Sequence, residues 1–226
     1  MVNVLMVFTS CDTTLTGKPA GWYLPEAAHP YYSFVDAGFN VDFAAPKGPN
    51  PPVNDYSVEA YTDEECKRFL KDDVSVKKLA TATALKDVDH SKYDAIFYVG
   101  GVGPVFDLPD DPVNIALANE FWRSGRIVSA VCHGPAALVN VTDADGKNIY
   151  AERVATAFSD VEEAALNFTA DVPFAVETRI RERGGKYEKA PENFGVKVCI
   201  DGKLYTGQNP ASAKALGDAI AKALKA

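Results

Sequence analysis

Cys132 sits where an apolar run meets a turn, in Ile127-Val128-Ser129-Ala130-Val131-Cys132-His133-Gly134-Pro135. The five residues before it read as a buried strand. The Gly and Pro after it mark a sharp turn into a helix start, expected over His133–Val139. A side chain at such an elbow is lifted out of the sheet. A helix start behind it supplies positive potential and free N–H groups, which favour thiolate. That help matters, because a thiol of pKa ~8.5 is only about 3 % ionised at pH 7. A cysteine taken at random is usually a packed core residue, and the turn sequence makes this one a candidate nucleophile.

Two further residues have chemistry to offer beside it. His133 follows directly, and an imidazole suits proton transfer near neutral pH. Glu26 falls in the first turn of the helix expected over Leu24–Ala37. That helix follows the first strand, so the fold brings Glu26 to the same rim. Two anions packed together repel, so a carboxyl there would keep its proton and donate it to sulfur or to a substrate oxygen. The commoner reading of such a Glu is a surface residue complementing the helix dipole.

The elements that must position these groups alternate along the chain. Strands are expected at Val2–Phe8, Asn40–Ala45, Ala95–Val99, Ile127–Val131 and Val154–Phe158. Helices are expected at Pro112–Ser124, Asp160–Leu166, Pro173–Arg183 and Ala211–Leu224. Val196–Ile200 and Lys203–Thr206 flank Asp201-Gly202 as a hairpin. Residues 46–62, rich in Pro, Gly and Asn, read as a long surface loop, and two short helices are expected between Asp63 and about Ala84. The pattern predicts one α/β domain over 1–226, with a mainly parallel sheet covered on both faces. Active sites of such sheets lie at the carboxyl ends of the strands, which puts Ser10, Gly100 and Cys132 on one rim.

Composition narrows the function. The 226 residues carry a net charge of −8 with no basic run, which argues against nucleic acid as a partner. The apolar runs are too short to span a bilayer. The first residues read as a strand and not as a leader, and the four cysteines show no metal-ligand spacing, so free thiols in the cytoplasm are expected, with the nucleus as an alternative. No metal and no cofactor is called for. Cys66 and Cys199 read as structural, Cys11 as a packed residue near the rim and His90 as a solvated loop residue. Trp22, Tyr23 and His29 flank the Glu26 position as candidates for the pocket wall.

The stretch Ala130 to Ala137 resembles the nucleophile elbow of the superfamily that includes PfpI-type peptidases and the DJ-one proteins. The similarity is greatest to the fungal heat-shock, glyoxalase III-like branch. It covers nearly the whole chain. Gly21 to Pro30, Phe97 to Gly101, Phe106 to Pro109 and Thr206 to Ala213 resemble segments of that branch in the same order, and 46–90 resembles its extra cap insertion.

The resemblance implies a flavodoxin-like sandwich and a cofactor-free enzyme acting on a small 2-oxoaldehyde, methylglyoxal to lactate. It implies Cys132 as nucleophile and His133 as proton carrier, with an acid after the next strand to orient the His. In Phe158 to Glu163 that acid aligns best with Glu163, while Glu162 and Asp160 stay open. Glu26 becomes the acid facing the thiol. Gly101 and His133 offer backbone N–H groups as an oxyanion hole, and Gly100, Val102, Trp22 and His29 line the pocket. Val102 stands where the branch usually has His, which makes the cleft more apolar. The resemblance also implies a homodimer. Other readings it leaves open are a stress holdase, a cysteine peptidase or amidase, and an oxidant sensor that uses Cys132.

Overall fold

Asn3–Val7 (β1) forms an interior strand of a seven-stranded sheet in a computed structural model that describes residues 1–226. Its side chains alternate between two apolar layers. Val4 and Met6 face one, Leu5 and Val7 the other, and all four are fully buried. Period-two alternation with no polar face is what a strand covered on both sides requires. Each such side chain contributes about 1.5–3 kcal/mol relative to exposure.

Around β1 lie Asn40–Ala45 (β2), Thr83–Ala84 (β3), Ala95–Tyr98 (β4), Ile127–Val131 (β5), Val198–Asp201 (β8) and Leu204–Gly207 (β9), in the order β3-β2-β1-β4-β5-β9-β8. Every pairing is parallel except β8 with β9. Leu24–Asp36 (α1) and Ala213–Lys225 (α9) pack together on one face, and Pro112–Arg123 (α6) lies on the other. No helix is long and apolar enough to cross a membrane.

Several elements differ from the sequence reading. The loop expected over 46–62 contains a helix, Asp55–Ala60 (α2), capped by the Asn54 side chain on Ser57 N. Glu64–Phe69 (α3) and Asp73–Ala80 (α4) are the two expected short helices, with Asp63 and Asp72 as their caps. The helix expected after Cys132 is a five-residue 3-10 turn, Gly134–Leu138. Pro104–Asp107 (α5) is a single turn before α6.

The strand expected at Val154–Phe158 is only Val154–Ala155 (β6), paired with Lys186–Tyr187 (β7) outside the main sheet. Its remainder leaves the ladder because the Cys132 carbonyl claims Phe158 N at 2.8 Å. Asp160–Ala165 (α7) starts where expected, whereas Val176–Glu182 (α8) begins three residues late. In the hairpin Asp201 pairs with Leu204, so Gly202 and Lys203 form the turn.

Candidate active site

The register of the central strands sets the site. Tyr98 on β4 pairs with Ala130 on β5, so Gly100 and Cys132, each two residues further on, leave the sheet side by side. Cys132 has φ +61°, a left-handed conformation that a side-chain-bearing residue adopts only under constraint. Its N–H donates to Gly207 O at 2.9 Å and its C=O accepts from Phe158 N at 2.8 Å. Neighbouring strands thus hold the strained elbow from both sides. The residue is 5 % exposed.

His133 Nδ1 lies 3.4 Å from Cys132 Sγ, and His133 Nε2 lies 2.9 Å from Glu163 Oε2. With Nε2–H donated to the carboxylate, Nδ1 turns its lone pair toward sulfur. Phe158 stacks on the imidazole at 4.6 Å. His133 and Glu163 are both buried.

Local structure decides why Glu163, and not Glu162 or Asp160, reaches the ring. Glu162 closes a capping box with Ser159 and also accepts from Phe194 N, Gln208 Nε2 and Asn209 Nδ2. Burial alone would raise its pKa, but these hydrogen bonds outweigh it and hold the carboxylate below its ordinary value. Asp160 Oδ2 accepts from Thr178 Oγ1. Glu163, one residue past the box, is turned inward.

Glu26 is fully buried on the other side of the thiol. Neither oxygen is closed into a well-aligned hydrogen bond, and the nearest polar groups are the Cys132 thiol, the Gly101 N–H and the His133 ring. Burial pushes this carboxyl up to about 7, with the thiol, His133 and Gly101 pulling the other way. Burial, then the Glu26 charge, pushes the Cys132 thiol up as well. The expectation of a thiolate stabilised by a helix start is therefore corrected: a 3-10 turn follows, and desolvation beside a carboxyl dominates.

Gly100 and Gly101 permit this crowding. A Cβ on Gly100 would overlap Glu26 Oε2 and lie 2.5 Å from Val131 O and 2.7 Å from Cys132 Cβ. Gly101 has φ +89°, and a Cβ there would lie 2.8 Å from Tyr23 N. The N–H groups of Gly101 and His133 donate to no backbone carbonyl, and the Gly101 N–H faces the Glu26 carboxyl and the Cys132 thiol.

Three residues expected at the pocket sit elsewhere. Trp22 is buried against Phe8 and Phe69, with Nε1 donated to Pro51 O at 3.0 Å. It is a core residue, and only its backbone borders Gly101. His29 points to α3, 3.2 Å from Asp63 Oδ1. Val102 is buried in the apolar cluster on the α6 face. His90, expected in solvent, has Nδ1 3.0 Å from Arg126 Nη2. All four cysteines are free, and Cys66 and Cys199 are buried.

Tyr61 is the site residue that the sequence pattern did not reveal. It follows α2 and packs edge-on against Tyr23 at 5.5 Å. Burial raises both phenols, and the charges of Glu26 and Cys132 raise them further, so the pair lies within electrostatic reach of the thiol. The segment carrying Tyr61 is stitched to the 20–24 strap by Trp22 N to Pro52 O, Asn54 N to Trp22 O and Leu24 N to Ser57 Oγ.

The DJ-1/PfpI family model matches residues 23–223, which include Glu26, Tyr61, Gly100, Gly101, Cys132, His133 and Glu163. The chain belongs to the DJ-1/PfpI family. Among curated members it is 32 % identical to the glutathione-independent glyoxalase hsp3102 of Schizosaccharomyces pombe, covering 92 % of this chain and 90 % of that protein. Among solved structures of the family's fold, Rapid Encystment Protein 24 KDa of Francisella tularensis superposes with a TM-score of 0.94 at 37 % identity, over 99 % of each chain. Glyoxalase III of Candida albicans superposes with a TM-score of 0.87 at 26 % identity, over 98 % of this chain and 97 % of that one.

Proposed function

We propose that this DJ-1/PfpI family chain is a glutathione-independent glyoxalase converting methylglyoxal, and 2-oxoaldehydes of that class, to 2-hydroxy acids such as lactate. The observation that carries the reading is the Cys132 thiol held at positive φ between His133 Nδ1, 3.4 Å away, and the buried Glu26 carboxyl. The names of the relatives in S. pombe and C. albicans point the same way.

Cys132 sulfur adds to the aldehyde carbon C1, and the thiol proton passes to the C1 oxygen, giving a hemithioacetal. His133 Nδ1 then takes the proton from C1 while Glu26 gives its own to the C2 oxygen, leaving an enediol. His133 returns the proton to C2 and the C1 hydroxyl returns one to Glu26. The product is a thioester at C1 and a hydroxyl at C2. Water cleaves the thioester, releasing the hydroxy acid and the free thiol. C1 is oxidised as C2 is reduced within one molecule, so the steps balance without an external redox partner.

Each group has a reason to be present. Glu163 fixes the His133 tautomer and stabilises the imidazolium. Glu26 needs a pKa near neutrality to give and retake a proton, and burial supplies it. The Gly101 and His133 N–H groups meet the charge that develops on the C1 oxygen. Cys132 is 5 % exposed, with the Tyr23–Tyr61 pair within electrostatic reach of its thiol, which suits a small carbonyl better than a peptide.

The test is lactate formation from methylglyoxal without glutathione. Methylglyoxal loss should match lactate gain, added glutathione should not speed it, and His133→Ala should slow it at least about 10²-fold. A folded wild type that forms no lactate would overturn the proposal.

A further inference from the structure

His29, Asp63 and Cys66 form a second cluster of reactive side chains, outside the machinery just described. One ligand atom from each lies within 4.8 Å of the other two. His29 comes from α1, while Asp63 caps α3 and Cys66 lies in it, so the three meet only through tertiary packing. His29 Nε2 is 3.2 Å from Asp63 Oδ1 and 3.7 Å from Cys66 Sγ. A zinc ion bound tetrahedrally at about 2.0 Å from N and O and about 2.3 Å from S would hold N and O about 3.3 Å apart and N and S about 3.5 Å apart. The two separations from His29 Nε2 match that geometry, and the third lies within 4.8 Å.

The surroundings suit a divalent ion as well. Cys66 is buried, whereas the His29 and Asp63 side chains are 19 % and 45 % exposed, which leaves an entry path from solvent. His29 Nδ1 makes no hydrogen bond and can carry the ring proton when Nε2 binds a metal. Asp63 Oδ1 also accepts from Cys66 N at 3.0 Å. That contact pre-orients the carboxylate, and Oδ1 keeps a second lone pair for the ion. We propose that His29, Asp63 and Cys66 bind one zinc-class divalent cation, with water as the fourth ligand.

Binding releases the Cys66 thiol proton to solvent, moves the His29 ring proton to Nδ1 and changes no oxidation state. A thiolate and an imidazole select borderline ions such as Zn2+ and Co2+ over Mg2+ or Ca2+. The bound ion would clamp α1, one turn past Glu26, to the start of α3, two residues past Tyr61.

The experiment uses the full chain and Zn2+ and Co2+ as probes. Wild type and Cys132→Ser should each bind one equivalent of Zn2+, with a rise in Tm, and Co2+ should give a thiolate-to-cobalt charge-transfer band in both. Cys66→Ser should lose that band, and His29→Gln should weaken Zn2+ binding at least about tenfold, since even outer-shell changes commonly cost that much. Asp63→Asn, which keeps the helix cap, should weaken it similarly and guards against a misfolded Cys66 variant. Stoichiometric binding lost in Cys132→Ser but kept in His29→Gln and Asp63→Asn would overturn the proposal, as would no stoichiometric binding by the wild type.

Discussion

Glu163 Oε2 lies 2.9 Å from His133 Nε2, and both side chains are almost fully removed from solvent. Glu163 Oε1 has no partner, so the carboxylate contributes through that single contact. Glu163→Gln preserves the shape but removes the charge that stabilises the imidazolium. The expected outcome is a fall in kcat of about 10²–10⁴-fold with the fold intact. Steady-state kinetics beside a thermal melt would check it, and a kcat within about threefold of wild type would count against a positioning role.

Glu26 gives a pH dependence with a definite sign. Its pKa is raised by burial to about 7, so between its unfolded value and 7 the folded chain holds a proton that the unfolded chain has lost. Stability is fully present below the unfolded pKa and declines as pH rises through about 7, by roughly 3 kcal/mol. Glu26→Gln should flatten this decline and lower turnover through loss of the proton donor. Urea unfolding of both proteins at pH 5 and pH 8 measures it. Parallel pH profiles would contradict the assignment.

Gly100→Ala should damage the site more than the fold. Its Cβ would crowd Val131 O and Cys132 Cβ and overlap Glu26 Oε2, a kind of overpacking that costs about 1–3 kcal/mol. Gly125→Ala is the matched control, since φ is +71° and nothing lies within 4 Å of the added carbon. It should cost about 1–2 kcal/mol through backbone strain alone. Activity should fall more than about tenfold in the first variant and stay near wild type in the second.

Tyr61→Phe removes the phenol that the 46–90 segment brings to Tyr23 and to the neighbourhood of Glu26. A phenol hydrogen bond to a bound substrate is worth about 1–1.5 kcal/mol, so the expected fall is about tenfold in kcat/KM. Tyr61→Ala should cost more, because it also opens the site to water. Equal activity of all three proteins would remove Tyr61 from the site.

Much of this arrangement was legible because the chemistry sits on regular elements. β2 and β5 have the bounds their apolar runs predict, and the Gly134-Pro135 pair after Val131 does mark the elbow. The resemblance favoured Glu163 as the acid beside His133, but Glu162 and Asp160 stayed open until structure showed Glu162 committed to the capping box and Asp160 to Thr178. Trp22 and His29 were misplaced for another reason. On a helix or strap next to an active site, facing the cleft and facing the core differ by one residue of rotation. Tyr61 and the His29–Asp63–Cys66 cluster depend on contacts between distant segments, which local periodicity does not encode.

The most direct measurement is lactate formation from methylglyoxal, without glutathione, by Cys132→Ala beside the wild type, with a melt to show that both are folded. The wild type should produce lactate steadily and the variant none above background. A folded variant that keeps a substantial fraction of the wild-type rate would show that the reaction does not run through the Cys132 thiol.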